Sequence, residues 1–173
     1  MSGGDAAGAM TDASHRPRRP LRCGEPTVHR FVTDDGVELQ LTRFRGGAKG
    51  PVILSPGFGT SSIAYTIDTT ETNFPEYLYE HGYDVWVFDY RASPLLPSSG
   101  AQFTLDDIAQ HDYPAAVRTV REITGADDVQ IVAHCVGSLT MLMSLGLGLE
   151  GVRSAVASQV TLHPRGGTLN ELR

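Results

Sequence analysis

The sequence predicts an α/β fold in which a short hairpin leads into parallel strands with crossover helices on both faces of the sheet. Three observations carry that expectation. From Pro51 onward, short apolar runs alternate with helix-length segments, the pattern of parallel strands joined by crossovers. Two of those runs, Val52-Ile53-Leu54 and Val85-Trp86-Val87-Phe88, are apolar at every position, as strands covered on both faces are. Ahead of them, Thr33-Asp34-Asp35-Gly36 separates two β-prone runs, the turn signal of an antiparallel hairpin.

Each element follows from local chemistry. Met1 to Pro26 is rich in Gly, Ala, Ser, Pro and Arg and has no hydrophobic period, so residues 1–26 are expected to be a disordered basic tail. The folded part is expected over 27–173, with the arginines at 16, 18, 19 and 22 solvated. Val28 to Val32 and Val37 to Phe44 form the hairpin, and Pro51 to Leu54 begins the sheet interior. Asn73 to His81 reads as a helix stopped by Gly82, followed by a buried strand from Asp84 to Phe88. Thr104 caps a helix running to Thr124, with Asp106 and Asp107 at its positive end, Pro114 kinking it and Gly125 ending it. Val129 to Ala133 is a central strand, Ser138 to Leu149 an apolar helix with Met141, Leu142, Leu145 and Leu149 in the core, and Ala155 to Leu162 a last strand.

Composition narrows the function classes. With 40% hydrophobic and 20% charged residues, the chain is ordinary for a globular domain, and no apolar run approaches the roughly 18 residues of a membrane span. The net charge of -6 argues against nucleic acid as a partner, which usually requires a basic face. Two distant cysteines, Cys23 and Cys135, do not make a disulfide framework, so a reducing, cytoplasmic setting is expected. Neither a metal nor an organic cofactor is implied.

The chemistry concentrates where the strand at Val129 passes straight into a helix through Ala133-His134-Cys135-Val136-Gly137. A strained strand-to-helix turn of the form G-x-S-x-G lifts a nucleophile above a sheet, and here the form is Ala-x-Cys-x-Gly. Cys135 at a helix N-terminus sits where the dipole favours an anionic attacking group, and the Val136 N–H faces a developing oxyanion. A second donor is expected after the first parallel strand, in Ser55-Pro56-Gly57-Phe58-Gly59-Thr60, with the Phe58 N–H as the candidate. Phe58 and Val136 thus form the expected oxyanion hole, Cys135 the expected catalytic residue, and Gly57, Gly59, His134 and His163 the expected pocket lining.

With these residues in place, the region from about Pro51 to Pro164 resembles the α/β-hydrolase superfamily. Gly82-Tyr83-Asp84-Val85-Trp86, Phe103-Thr104-Leu105-Asp106-Asp107-Ile108-Ala109 and Asp112-Tyr113-Pro114-Ala115-Ala116 are similar to its acid-lipase-like branch, including the helix proline. The polyhydroxyalkanoate synthases, which use cysteine at this turn, resemble Thr104-Leu105-Asp106-Asp107, Val120 to Gly125 and His134-Cys135-Val136-Gly137. A third likeness, to the hydrolase portion attached to some GMC-type, cholesterol-oxidase-like flavoenzymes, fits both sets, although no dinucleotide fingerprint occurs in this chain.

The resemblance implies a triad whose acid and histidine follow later strands, so the chain reads as the N-terminal portion of such a domain, truncated before the cap and the last strands. His134 is expected to face away from the base position, and His163 to lie near the pocket without occupying the family's histidine place. His111 is expected to be a surface or packing residue, and His15, His29 and His81 exposed. Asp89-Tyr90-Arg91 is expected to hold its loop through an ion pair.

The implied activity is ester hydrolysis or acyl transfer on a small-molecule or lipid ester or thioester, lipase- or esterase-like, through a Cys135 acyl-enzyme. The alternatives are a polyester-synthase-like acyltransferase and a catalytically inactive fragment or interaction module. An uncovered sheet edge would suit a homodimer.

Overall fold

The computed structural model describes residues 19–161, which build one mixed sheet in the strand order β1-β2-β4-β3-β5-β6. β1 (Thr27–Val32) and β2 (Glu38–Phe44) form the antiparallel hairpin, closed where the Thr33 hydroxyl accepts the Val37 N–H at 2.9 Å and Gly36 takes a φ of 86°. β2 runs antiparallel to β4 (Asp84–Asp89). From there β4, β3 (Pro51–Ser55), β5 (Val129–His134) and β6 (Val152–Ser158) are all parallel.

Every residue of β3 and β4 is buried because the sheet interior is covered on both sides. Successive side chains point to opposite faces. Ile53, Trp86, Phe88 and Ile131 therefore pack into one core with Tyr113, Val117 and Met141, while Val52, Leu54, Val85 and Val87 pack into another with Phe44 and Leu78. Trp86 is anchored at its polar edge. Its indole N–H donates to Asp84 Oδ2 at 2.9 Å, Arg43 forks onto the same carboxylate at 3.0 and 2.9 Å, and the guanidinium lies 4.8 Å over the ring.

α1 (Phe74–Glu80) begins in a capping box: Asn73 Oδ1 accepts the Glu76 N–H, and the Glu76 carboxylate accepts the Asn73 N–H. The second helical region starts at the Thr104 cap as α2 (Leu105–Asp107), passes through a π-helical turn (Ile108–Asp112) and continues as α3 (Tyr113–Thr124). The predicted kink at Pro114 takes this form because the ring supplies no N–H to the ladder and crowds the carbonyl four residues back, and the wider π turn accommodates both. Gly125, at φ 71°, ends the helix. α4 (Val136–Gly146) follows β5 directly.

Several expectations need correction. Residues 19–26 were expected within a disordered tail, but Cys23 is 2% exposed in the second core and Leu21 packs beside it. Arg19, expected to be solvated, donates to the buried Glu76 carboxylate at 2.7 Å, and the Arg22 N–H donates to the same group at 2.9 Å. A buried carboxylate needs a cation and donors, and this segment supplies them. The last strand runs over Val152–Ser158 rather than 155–162, because its register is set by pairing with β5. α4 starts two residues earlier than expected, directly at the turn, and its phase leaves Leu142 exposed while Met141 is buried. His29, expected to be exposed, is half-buried against Trp86 with ring centroids 5.1 Å apart, and burial lowers its pKa.

Arg91 does hold its loop, through Asp112 and Asp35. Among the described residues, β6 pairs on one side only, and its five central residues are exposed. No helix among the described residues is long and apolar enough to cross a membrane.

Candidate active site

The turn from β5 into α4 is made by one residue. Cys135 adopts φ 53° and ψ -119°, left-handed geometry that a non-glycine residue holds only when its surroundings enforce it. The enforcement is visible on both flanks. The Cys135 N–H donates to the Ser158 carbonyl at 2.9 Å, and buried Ser138 donates from its hydroxyl to the Ala133 carbonyl at 2.7 Å while accepting the Ser158 N–H at 3.0 Å. β6 thus pins the turn from one side. The Cys135 side chain is left exposed, at the N-terminus of α4.

On the other side lies the end of β3. Gly57 is buried directly against Cys135: a Cβ there would stand 3.2 Å from Cys135 Cβ and 3.8 Å from Sγ. Gly137 lets α4 approach the same segment, since a Cβ on it would collide with the Pro56 carbonyl oxygen and stand 2.9 Å from Ser55 Oγ. Gly137→Ala is therefore expected to push α4 away from β3 at a cost of about 1–3 kcal/mol, read by urea denaturation, and to slow modification of Cys135. A variant of unchanged stability and reactivity would show that this close approach is not needed.

The sequence-predicted residues distribute as follows. Cys135, Val136 and Gly57 are brought together at the junction of β3, β5 and α4. Phe58 follows Gly57 with its side chain 63% exposed, and Gly59 sits at φ 70° with open space around its Cα. A pocket of about 510 Å³ opens beside them, lined by Gly57 and His134 among others; Gly59 is not part of its wall. His163 lies outside the described residues.

Sequence reasoning missed the other walls. Pro56, Thr60, Tyr65, Phe74, Val132 and Val156 complete an apolar surface with few polar groups. The Thr60 hydroxyl donates to the Gly57 carbonyl at 2.9 Å, and the Tyr65 hydroxyl donates to the Ser55 carbonyl at 3.0 Å. Burial pushes the Tyr65 phenol up to about 12, so it remains a donor. Pro56, Thr60 and Val132 lie in segments the sequence already marked, but Tyr65, Phe74 and Val156 carry no local signal, because only the fold brings their segments to the turn. A larger groove of about 630 Å³, between α3 and the C-terminal end of α4, lies at the far end of that helix from Cys135. The second thiol, Cys23, is buried away from the turn and pushed up to about 11 by burial.

Comparison with known proteins bears on the family and the fold. Over 169 residues the chain is 27% identical to lipase lipl-1 of Caenorhabditis elegans, a match covering 87% of this chain and 42% of that protein. It is 26% identical over 155 residues to triacylglycerol lipase 2 of Arabidopsis thaliana, covering 79% and 36%. The chain thus spans less than half the length of these curated relatives. Among solved structures, the esterase Pf2001 of Pyrococcus furiosus superposes with a TM-score of 0.67 at 22% identity, over 80% of this chain and 52% of that one, a likeness of fold. A family model described as the alpha/beta hydrolase fold matches residues 50–170. Since that match takes in well over half of its residues, the chain belongs to the α/β-hydrolase fold family.

Proposed function

We propose that this chain carries the nucleophile half of an acyl-transfer site, with Cys135 attacking the carbonyl carbon of a carboxylic ester or thioester. The observation that carries this reading is the exposed Cys135 thiol on a strained turn, packed against the Gly57 backbone. As the sulfur adds, the carbonyl oxygen takes up negative charge and accepts hydrogen bonds from the Phe58 and Val136 N–H groups. Val136 is the first residue of α4, so its N–H has no carbonyl in a preceding turn to bond. Collapse of the adduct expels the alcohol or thiol, which leaves with a proton, and an acyl-cysteine remains. Water or an alcohol then resolves it. The apolar pocket wall of Pro56, Phe74, Val132 and Val156 suits an aliphatic acyl chain, as do the lipases among the relatives.

General acid–base assistance contributes about 10²–10⁴-fold in such reactions. With no described residue assigned to that role, the reading asks for one round of acylation rather than sustained turnover. The test is intact-mass measurement after incubation with 4-nitrophenyl butyrate. Wild type is expected to gain one butyryl group, Cys135→Ala none, and Cys23→Ala one as in wild type. Equal labelling of wild type and Cys135→Ala, or no labelling of wild type, would overturn the proposal.

The cysteine itself favours a second reading, transfer from an acyl thioester in the manner of a polyester synthase. Faster acylation by a 3-hydroxyacyl-CoA than by the nitrophenyl ester would support it; the reverse order would favour the esterase.

A further inference from the structure

The two amides assigned to the oxyanion hang from different elements. Phe58 follows the end of β3 by three residues, and Val136 opens α4. No covalent path of useful length sets their spacing, yet donors of this kind have to be placed to within about 0.5 Å of the charge they stabilise. Pairing of β3 with β5 sets the register only as far as Ser55 opposite Ala133; beyond that pair both amides leave the ladder, and a further tie between the end of β3 and the start of α4 would fix their spacing.

The start of α3 supplies that tie. The Tyr113 hydroxyl donates to the Gly137 carbonyl of α4 at 2.7 Å, which uses its one proton. It also lies 2.7 Å from Ser55 Oγ at the end of β3, and with its own proton committed it must be the acceptor there. One buried phenol oxygen thus bridges the residue three before Phe58 and the residue after Val136. The Thr140 hydroxyl also lies 3.2 Å from the Gly137 carbonyl, but its shorter acceptor, at 2.9 Å, is the Val136 carbonyl. Tyr113 is 1% exposed, and its ring is set edge-on against Phe88 with centroids 5.7 Å apart, so the hydroxyl has little room to move. The π-helical turn Ile108–Asp112 immediately before it sets the phase at which the ring enters the core.

We propose that Tyr113 is a positioning residue that fixes the distance between the Phe58 and Val136 amides by tying Ser55 to Gly137. The inference rests on the acyl-transfer reading above and deepens it. Tyr113 touches no substrate; it acts through the two main-chain segments it joins. Burial holds its phenol protonated far above neutral pH, so the bridge does not titrate in the working range.

The test compares two reactions of the same thiol. Alkylation of Cys135 by iodoacetamide displaces iodide and passes through no oxyanion, so it reports access to the sulfur alone. Acylation by 4-nitrophenyl butyrate needs the oxyanion donors as well. Tyr113→Phe keeps the ring and removes the bridge; it is expected to lower the acylation rate about tenfold, a fraction of what losing a whole donor costs, while leaving alkylation unchanged. Ser55→Ala, which breaks the other half of the bridge, is expected to do the same, and the double variant to be no worse than either single one.

A purely structural hydroxyl would lower the thermal midpoint and either move both rates together or move neither, and that result would overturn the proposal. If Tyr113→Phe does not fold, Ser55→Ala decides by the same ratio of rates. Absence of acylation in wild type would instead remove the acyl-transfer reading, and this proposal with it. Normal wild-type acylation with an unchanged ratio in both variants would remove this proposal alone.

Discussion

Arg91→Ala is expected to cost about 3–5 kcal/mol of folding stability, the loss typical when one partner of a buried ion pair is removed and the other left behind. Arg91 is 5% exposed and Asp112 is not exposed at all. The main-chain N–H, Nε and Nη2 of Arg91 donate to the Asp112 carboxylate at 3.0, 2.9 and 2.7 Å, while its other contacts reach Asp35 at 2.9 and 3.0 Å. Deleting the side chain strands a carboxylate in the interior, directly before Tyr113. Burial already pushes the Asp112 carboxyl above its ordinary range, with the guanidinium opposing it, and without Arg91 the upward shift grows. A carboxyl raised in the folded state destabilises as pH climbs through its folded pKa, so the deficit of Arg91→Ala is expected to shrink on acidification. Urea denaturation at neutral and mildly acidic pH measures both effects. A loss below about 1 kcal/mol would place the pair among ordinary surface ion pairs.

Glu76→Ala is expected to cost about 3 kcal/mol, because four charge-assisted hydrogen bonds converge on a side chain with no exposure. Its carboxylate accepts twice from the Arg19 guanidinium, at 2.5 and 2.7 Å, and from the Arg22 and Asn73 N–H groups at 2.9 Å each, so one group caps α1 and straps residues 19–23 over the second core. The Arg19 hydrogen bond is the main reason its pKa falls from 4.5 to about 2. The sign follows from that depression. The carboxylate's contribution is complete above its unfolded value and is lost as pH falls from about 4.5 through about 2. Glu76→Gln keeps the shape and removes the charge. It is expected to be less stable than wild type at neutral pH, with the gap closing over that acid interval. Parallel stability curves for the two proteins would show that Glu76 is not the titrating group.

The same strap marks the limit of what a one-dimensional reading reaches. Arginines within a Gly- and Pro-rich segment look solvated because nothing near them in the chain is apolar or acidic enough to hold them. Glu76, the group that does, is 57 residues from Arg19. Ser55 and Tyr113 are 58 residues apart, and neither belongs to a recognisable pattern with the other. The ring that covers His29 belongs to β4, two strands across the sheet, so nothing in its own segment marks the contact. For Arg91 an ion pair was foreseeable from its setting at a strand end, but not its depth or its partners.

What the amino-acid sequence determined by itself is whatever is decided within about one helical turn. The Thr33 to Gly36 turn, the Thr104 cap and the stop at Gly125 are of this kind, since each satisfies its hydrogen bonds or backbone conformation within a few residues; the passage through Cys135 is marked by its local pattern, but β6 holds it. Tertiary structure alone decided the order of strands, the register that moved β6, the phase that exposed Leu142, and the pocket wall beside Gly57. Those depend on which distant surfaces exclude water from one another, a property that no single segment of the chain possesses.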